Sequence, residues 1–253
     1  MVKKQEKNTP LVVDELKQHS LFMWLKGDMP LVYNAVSEKV KRELLFPRGR
    51  KTKADKEQNM KHDPVQEFRD SVYQNEGTSC ATRLMVPSTM FKAAIMNAAL
   101  EIPGAKKAQI GRIVWVVGDT VDTVNVYGVP RLWTSVVRSA DINKTPDIRT
   151  RAVLTEWCCR ICVRYMVPTL TETAVGRLVQ MAGLLMGIGD FRQQKGKGSY
   201  GQFSLVNEAD CKAIIKRGGR VAQDKALRSP DYYDAETRKL MTWFDKERKR
   251  RGR

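Results

Sequence analysis

The spacing of apolar and polar positions changes period several times along the chain, and each change marks an element. Residues 20–25, "SLFMWL", read as a strand, and "KGDMP" supplies the turn residues that end it. In "PLVYNAVSEKVKRELLF" (30–46) Val32, Val36, Val40 and Leu44 recur at i, i+4 with charged residues between them, which predicts a helix. From Pro47 to Pro64 the periodicity vanishes and six Lys or Arg appear, a basic loop that is either an interacting arm or a plain solvated linker. "FRDSVYQ" (68–74) and "CATRLMVP" (80–87) predict a hairpin around "NEGTS".

The next segment, "VPSTMFKAAIMNAALEIPG", predicts a helix capped by Ser88 and stopped by Pro103-Gly104. "IGRIVWVVGDTVDTVNVYGV" (110–129) returns to β character around the turn "GD", and "WTSVVRSADI" reads as a further strand. The longest strand candidate is 149–167, opened by Arg149 and Arg151. Side chains alternate across an extended chain, so Trp157, Cys159, Ile161, Val163 and Tyr165 share one side and Cys158, Arg160, Cys162 and Arg164 the other. The first side suits packing on helices. The second suits either an exposed phosphate-binding surface or salt bridges to neighbouring strands.

A helix follows from Thr171, apolar at Val175, Leu178, Val179, Ala182, Leu185 and Met186. It runs into the glycine-rich stretch "GIGDFRQQKGKGSYGQF", whose end, with "SLV", reads as a closing strand. The remainder predicts a short helix, a loop and a final helix ending in "KERKRRGR", a run of the kind that is usually disordered and binds polyanions weakly. Helices separated by pairs of strands indicate α+β with a largely antiparallel sheet.

Charge narrows the choice of partner. The 253 residues carry 45 Lys plus Arg against 28 Asp plus Glu, a formal +17, and such an excess opposes compaction unless a polyanion offsets it. Nucleic acid is the leading partner class, ahead of simple solubility and of an anionic membrane. With 42% hydrophobic and 29% charged residues the composition is globular. No run reaches the roughly 18–20 apolar residues of a membrane helix, and "MVKKQEKNTP" lacks the apolar core of a signal peptide, so a cytoplasmic protein without membrane partners is expected. Five cysteines, two adjacent in "CCRIC", fit reduced thiols. Cys159 and Cys162 have the C-x-x-C spacing, but neither His19 nor His62 stands in a second ligand pair, so no metal and no cofactor is expected.

The glycine-rich stretch is neither a dinucleotide fingerprint nor a nucleotide-hydrolase phosphate loop, because "GIGDFR" follows a helix and "GKGS" lacks the spaced first glycine. Its glycines allow close backbone approach to an anion, Arg192, Lys195 and Lys197 supply attraction, and Phe191 and Tyr200 offer stacking faces for unpaired bases. The competing reading is a flexible hairpin with incidental lysines. Asp28 follows the first strand and is first of all a turn former, as are Asp119 and Asp122, which could otherwise hold Mg²⁺.

Three segments, in order, resemble the RAMP superfamily of repeat-associated RNA-binding proteins that build the backbone of CRISPR effector complexes: "LKGDMPLVYNAVSEKVKREL", "VPSTMFKAAIMNAAL" and "GIGDFRQQKGKGSYGQF". The first is similar to phage and prokaryotic proteins of that type. The resemblance implies a ferredoxin-like, RNA-recognition-type antiparallel sheet with helices on one face and inserted loops, over residues 20–206. A flexible 1–19, a basic loop 47–64 in the place of an inserted finger, and a basic helical extension 207–253 complete the expected organisation. It further implies a protein holding RNA or single-stranded DNA, as a homo-oligomer or filament or within a larger ribonucleoprotein; with only two histidines, and Asp28 in a turn, no enzymatic activity is expected. The resemblance implies contacts by Lys92 in the helix, Arg192, Lys195 and Lys197 in the glycine loop, and Arg48, Arg50, Lys51 and Lys53 in the basic loop; Arg149, Arg151, Arg160 and Arg164 on the strand and Phe191 and Tyr200 beside the glycines are added from their own chemistry. An interaction protein that mimics and caps a backbone subunit, or a metal-dependent nuclease using Asp28, are the alternatives.

Overall fold

The computed structural model describes residues 15–46, 62–120, 122–138, 145–195 and 198–251. At its centre, β1 (Lys17–Gly27) and β9 (Cys158–Val167) pair antiparallel over ten residue pairs, Lys17 opposite Val167 and Lys26 opposite Cys158. β10 (Phe203–Val206) flanks β1, and β5 (Val114–Val117) flanks β9. With α3 (Ser88–Ala98) after β1 and α5 (Glu172–Met181) after β9, these four strands follow the order β10-β1-β9-β5 with βαββαβ connectivity, the ferredoxin-like arrangement. The chain is α+β, as its pattern of elements predicts.

The alternation along β1 and β9 sorts side chains as the period requires. Leu25, Cys159, Ile161, Val163 and Tyr165 are buried and meet Phe91, Ala94 and Ile95 of α3 and Val175, Leu178 and Val179 of α5. α5 starts where Thr171 Oγ1 accepts from the Ala174 N–H at 3.2 Å.

β6 (Thr123–Tyr127), β4 (Leu84–Pro87) and β3 (Tyr73–Gln74) extend the sheet to its far edge. A second sheet, in the order β2-β8-β7, joins β2 (Leu31–Val32) to the long hairpin of β7 (Pro130–Arg138) and β8 (Pro146–Leu154). Trp157 sits fully buried between β8 and β9 and donates its indole N–H to Met29 O at 2.9 Å.

Several local expectations are overturned. The 30–46 helix is only α1 (Glu38–Leu45), capped by Ser37, because Leu31, Val32 and Tyr33 are buried against β8 and the adjoining core. The first half of "FRDSVYQ" is helical: Asp63 caps, and Pro64 opens, α2 (Pro64–Asp70), a start signal inside the predicted basic loop. Ser88 is no cap. It is the first helical residue, buried, and its N–H donates to Asp122 O at 2.7 Å. α4 (Lys107–Ile113) precedes β5, and β5 and β6 bind different parts of β9 instead of forming a hairpin. The 149–167 candidate is two strands, broken at residues 155–157.

The C-terminal segment forms α6 (Glu208–Arg217), α7 (Arg220–Arg228) and α8 (Ala235–Arg250), and it is laced into the sheets. Gln223, fully buried, donates to the carbonyls of Val126, Gly128 and Gly218 at 2.8–3.0 Å. Its Oε1 accepts from the N–H groups of Arg83 at 2.7 Å and Leu84 at 3.0 Å. Leu132 N–H donates to Asp231 O at 2.8 Å and Leu132 O accepts from Tyr233 N–H at 2.9 Å, where the α7–α8 connection runs beside β7. The basic run continues α8 through Arg250 instead of fraying.

Candidate nucleic-acid interface

The outward side of the four-stranded core carries Ser20, Phe22, Trp24 and Lys26 on β1 opposite Arg164, Cys162, Arg160 and Cys158 on β9, with Trp115 opposite Arg164 on β5. One end of this surface is covered. Cys211 and Ile214 of α6 bury Cys158 against Trp24, Tyr127 and Val206, so helices lie on both sides of the sheet and not on one. Burial pushes the Cys158 and Cys159 thiols well up, so both stay protonated and unreactive. Cys159 points inward while Cys162 points outward, so the C-x-x-C spacing cannot hold one metal ion, and among the described residues no group of three ligands converges.

The other end is open. Phe22 is 59% exposed on a central strand, where an aromatic ring ordinarily packs against something. The Arg160 guanidinium lies over it, 4.5 Å from the ring centroid. Arg164, also exposed, stands between Ser20 and Trp115. Four residues of strand separate the two arginines by about 13 Å. The patch therefore combines two fixed cations, a free ring face at Phe22 and the half-exposed edges of Trp24 and Trp115. Such a surface can hold phosphates and stack unpaired bases without reading their edges.

The glycine-rich loop is arranged differently. It begins where α5 ends in a π-helical turn, Ala182–Met186. Its two limbs fold onto each other and onto the chain after β1: Ile188 N–H donates to Gly201 O at 3.0 Å, Gly201 N–H to Pro30 O at 2.8 Å, and Asp190 N–H to Val32 O at 2.9 Å. Gly189 (φ +80°) and Gly201 (φ +73°) serve this contact; a Cβ on Gly201 would lie 1.8 Å from Ile188 O. Phe191 and Tyr200 pack around Trp133 of β7, with ring centroids 5.4 and 5.6 Å away. Burial, with Tyr233 beside it, pushes the Tyr200 phenol up to about 12. The glycines and rings thus make contacts within the protein itself.

The remaining predicted residues separate accordingly. Arg151 is buried, pairs with Asp190 and lies over Phe191 at 5.1 Å; burial draws its guanidinium below its ordinary value while Asp190 opposes the shift. It is committed inside the protein. Arg192, half-buried, donates to Gly189 O at 2.8 Å, and Lys195 is exposed at the loop tip. Arg149 lies along the β7–β8 hairpin, 3.9 Å from Asp147. Lys92 belongs to the helix layer on the opposite side of the sheet from Arg160. Arg48, Arg50, Lys51, Lys53 and Lys197 lie outside the described residues.

Sequence reasoning overlooked Phe22, Trp24 and Trp115. In "SLFMWL" every second residue after Ser20 is aromatic, but both parities are apolar, which imitates a strand buried on two sides. The arginine face of β9 was the available signal, because its partner strand must share it. Asp28 accepts a hydrogen bond from Ser204 Oγ at 2.6 Å, and Asp119 accepts from Asn125 N–H at 2.7 Å, so both carboxylates have structural partners.

No family model and no curated protein matches the sequence. Among solved structures the chain is similar to the type III-B Cmr-beta bound to cognate target RNA, solved by cryo-EM, with 13% identity and a TM-score of 0.38 over 76% of this chain and 60% of that one. It is also similar to Cmr6 from Pyrococcus furiosus, with 9% identity and a TM-score of 0.37 over 75% of this chain and 98% of that one. The chain spans about 60% of the length of the first. Among the described residues no helix is long and apolar enough to cross a membrane.

Proposed function

We propose that this protein binds single-stranded nucleic acid, RNA or DNA, along the open half of its larger sheet, without sequence preference and without cleaving it. The observation that carries the reading is Phe22, an exposed ring held under the Arg160 guanidinium on a central strand, with Arg164 farther along the same face. The +17 charge supplies the long-range attraction that such a site needs. Phosphate contacts by Arg160 and Arg164 and stacking on Phe22 carry affinity; Lys195 adds peripheral attraction. Several copies would bind side by side along one strand, or the protein would act within a larger ribonucleoprotein.

The test is fluorescence anisotropy with labelled oligouridylate and oligothymidylate across a salt series. Affinity should fall steeply with salt and differ little between mixed sequences. A flat salt response removes the reading. Labelled RNA should stay intact with Mg²⁺ present; cleavage abolished by Asp28→Ala would replace this reading with a nuclease.

A further inference from the structure

At the far edge of the larger sheet, away from Phe22, a cavity of about 360 Å³ opens between β3, the start of β4 and α7. Four arginines line it, Arg69, Arg83, Arg220 and Arg228, with Gln74 and a single carboxylate, Asp224. Four positive charges less one leave the lining at a formal +3. Glu76 also meets Arg83, at 3.0 Å, but it is 81% exposed and contributes little.

Three of these guanidinium groups, those of Arg69, Arg83 and Arg220, are held mainly by groups that do not neutralise them, and the exposed Arg228 completes the rim. Arg69 donates from Nε to Leu227 O at 2.9 Å and from Nη2 to Arg228 O at 3.1 Å. Arg83 donates from Nε and Nη2 to Gln74 Oε1 at 3.1 and 2.9 Å, and Arg220 from Nη1 to Asn75 O and Thr82 O, both at 3.4 Å. Uncharged oxygens hold the planes in place and leave the charge. Asp224 is divided between Arg83 and Arg220, at 3.9 and 3.8 Å. Both arginine side chains are only about a fifth exposed, so solvent screens their repulsion weakly. Arg220 is moreover the first residue of α7, whose first turn has no acidic residue, so a cation faces the positive end of a helix.

Converging, pre-oriented and under-compensated arginines are costly in an empty protein and favourable around a multiply charged anion with several oxygens. We infer that this cavity binds a phosphomonoester or polyphosphate group, carried either by a free nucleotide or by the terminal phosphate of a nucleic-acid strand. Its size falls at the lower end of the roughly 300–1,000 Å³ range of small-molecule sites, enough for a phosphate group and an attached sugar. The inference uses none of the sheet-face residues and stands independently of them.

Isothermal titration calorimetry on the full chain at low salt tests it, with pyrophosphate, ATP, and short oligonucleotides bearing either a 5′-phosphate or a 5′-hydroxyl. Pyrophosphate and ATP should bind, and Arg228→Ala should weaken them about tenfold. Asp224→Asn, which removes the lone carboxylate, should tighten them about threefold, a direction that a damaged fold would not produce. Phe22→Ala should leave pyrophosphate binding unchanged. A 5′-phosphate that strengthens oligonucleotide binding in the native protein, but not in Arg228→Ala, identifies a strand end as the source; ATP binding without that gain identifies a free nucleotide. If no phosphate probe binds, or if both variants bind as the native protein does, the site is refuted.

Discussion

Arg160 lies over Phe22 at 4.5 Å, and Arg151 lies over Phe191 at 5.1 Å. The two pairs have the same chemistry and differ in what surrounds them. Around Phe191 the second partners are the protein's own: Asp190 for the guanidinium, and Trp133 for Phe191 and Tyr200 alike. Around Phe22 the ring faces solvent, and among the described residues Arg160 has no carboxylate within salt-bridge distance. An arginine–aromatic pair therefore says nothing about binding until its remaining donors and its second ring face are accounted for. In the glycine loop the protein consumes both; on the sheet it leaves both available.

The contrast makes opposite demands on substitutions. Trp133→Ala should lower stability by about 3 kcal/mol, because it opens the cluster that fastens the glycine loop to β7, while Phe22→Ala should stay within about 0.5 kcal/mol of the native protein. Urea unfolding followed by tryptophan fluorescence and circular dichroism measures both; equal losses would erase the distinction. Next in size, Arg160→Ala with Arg164→Ala should weaken single-strand binding at least tenfold and flatten the logarithmic salt slope by about 1.4, for two phosphate contacts. An unchanged slope would move the phosphates elsewhere.

Lys195→Ala should change affinity by less than about threefold, as one exposed cation near the strand would. A larger loss would return the glycine loop to the centre of the site. The smallest effect is on pH. Tyr200 titrates near 12 in the folded protein and nearer 10 when unfolded, so its neutral form is favoured by folding. Its contribution is complete below about pH 10 and is lost as pH rises from there toward 12. Burial also raises Tyr33, Tyr73 and Tyr127, so alkaline difference spectroscopy should show several late phenols, of which the Tyr200 phenol advances in Trp133→Ala.

How far the sequence foretold this molecule depended on the range of the interaction. Strict alternation placed Cys159, Ile161, Val163 and Tyr165 inward and Arg160 and Arg164 outward, because the period is a property of the backbone alone. The cap at Thr171 was legible for the same reason. α2 and α4 were missed, since seven residues barely complete two turns and their starts were masked by a charge-rich run and a Val/Ile-rich run. The glycine loop was found, but not what its glycines approach: their spacing reveals that something comes close, and here that something is Pro30, Val32 and Ile188 of the same chain. The arginine cavity gathers residues from 69 to 228, a convergence that no local pattern encodes.

Gln223 gives the chain a particular order of maturation. Of the five amide and carbonyl groups it satisfies, four belong to Arg83, Leu84, Val126 and Gly128, all translated long before it, and the fifth to nearby Gly218. Until residue 223 has left the ribosome those groups lack the side chain that bonds them in the folded protein, so this seam can close only late. Ribosome-bound chains stalled before this glutamine should be cleaved by added protease faster than chains long enough for α7 to close over the gap.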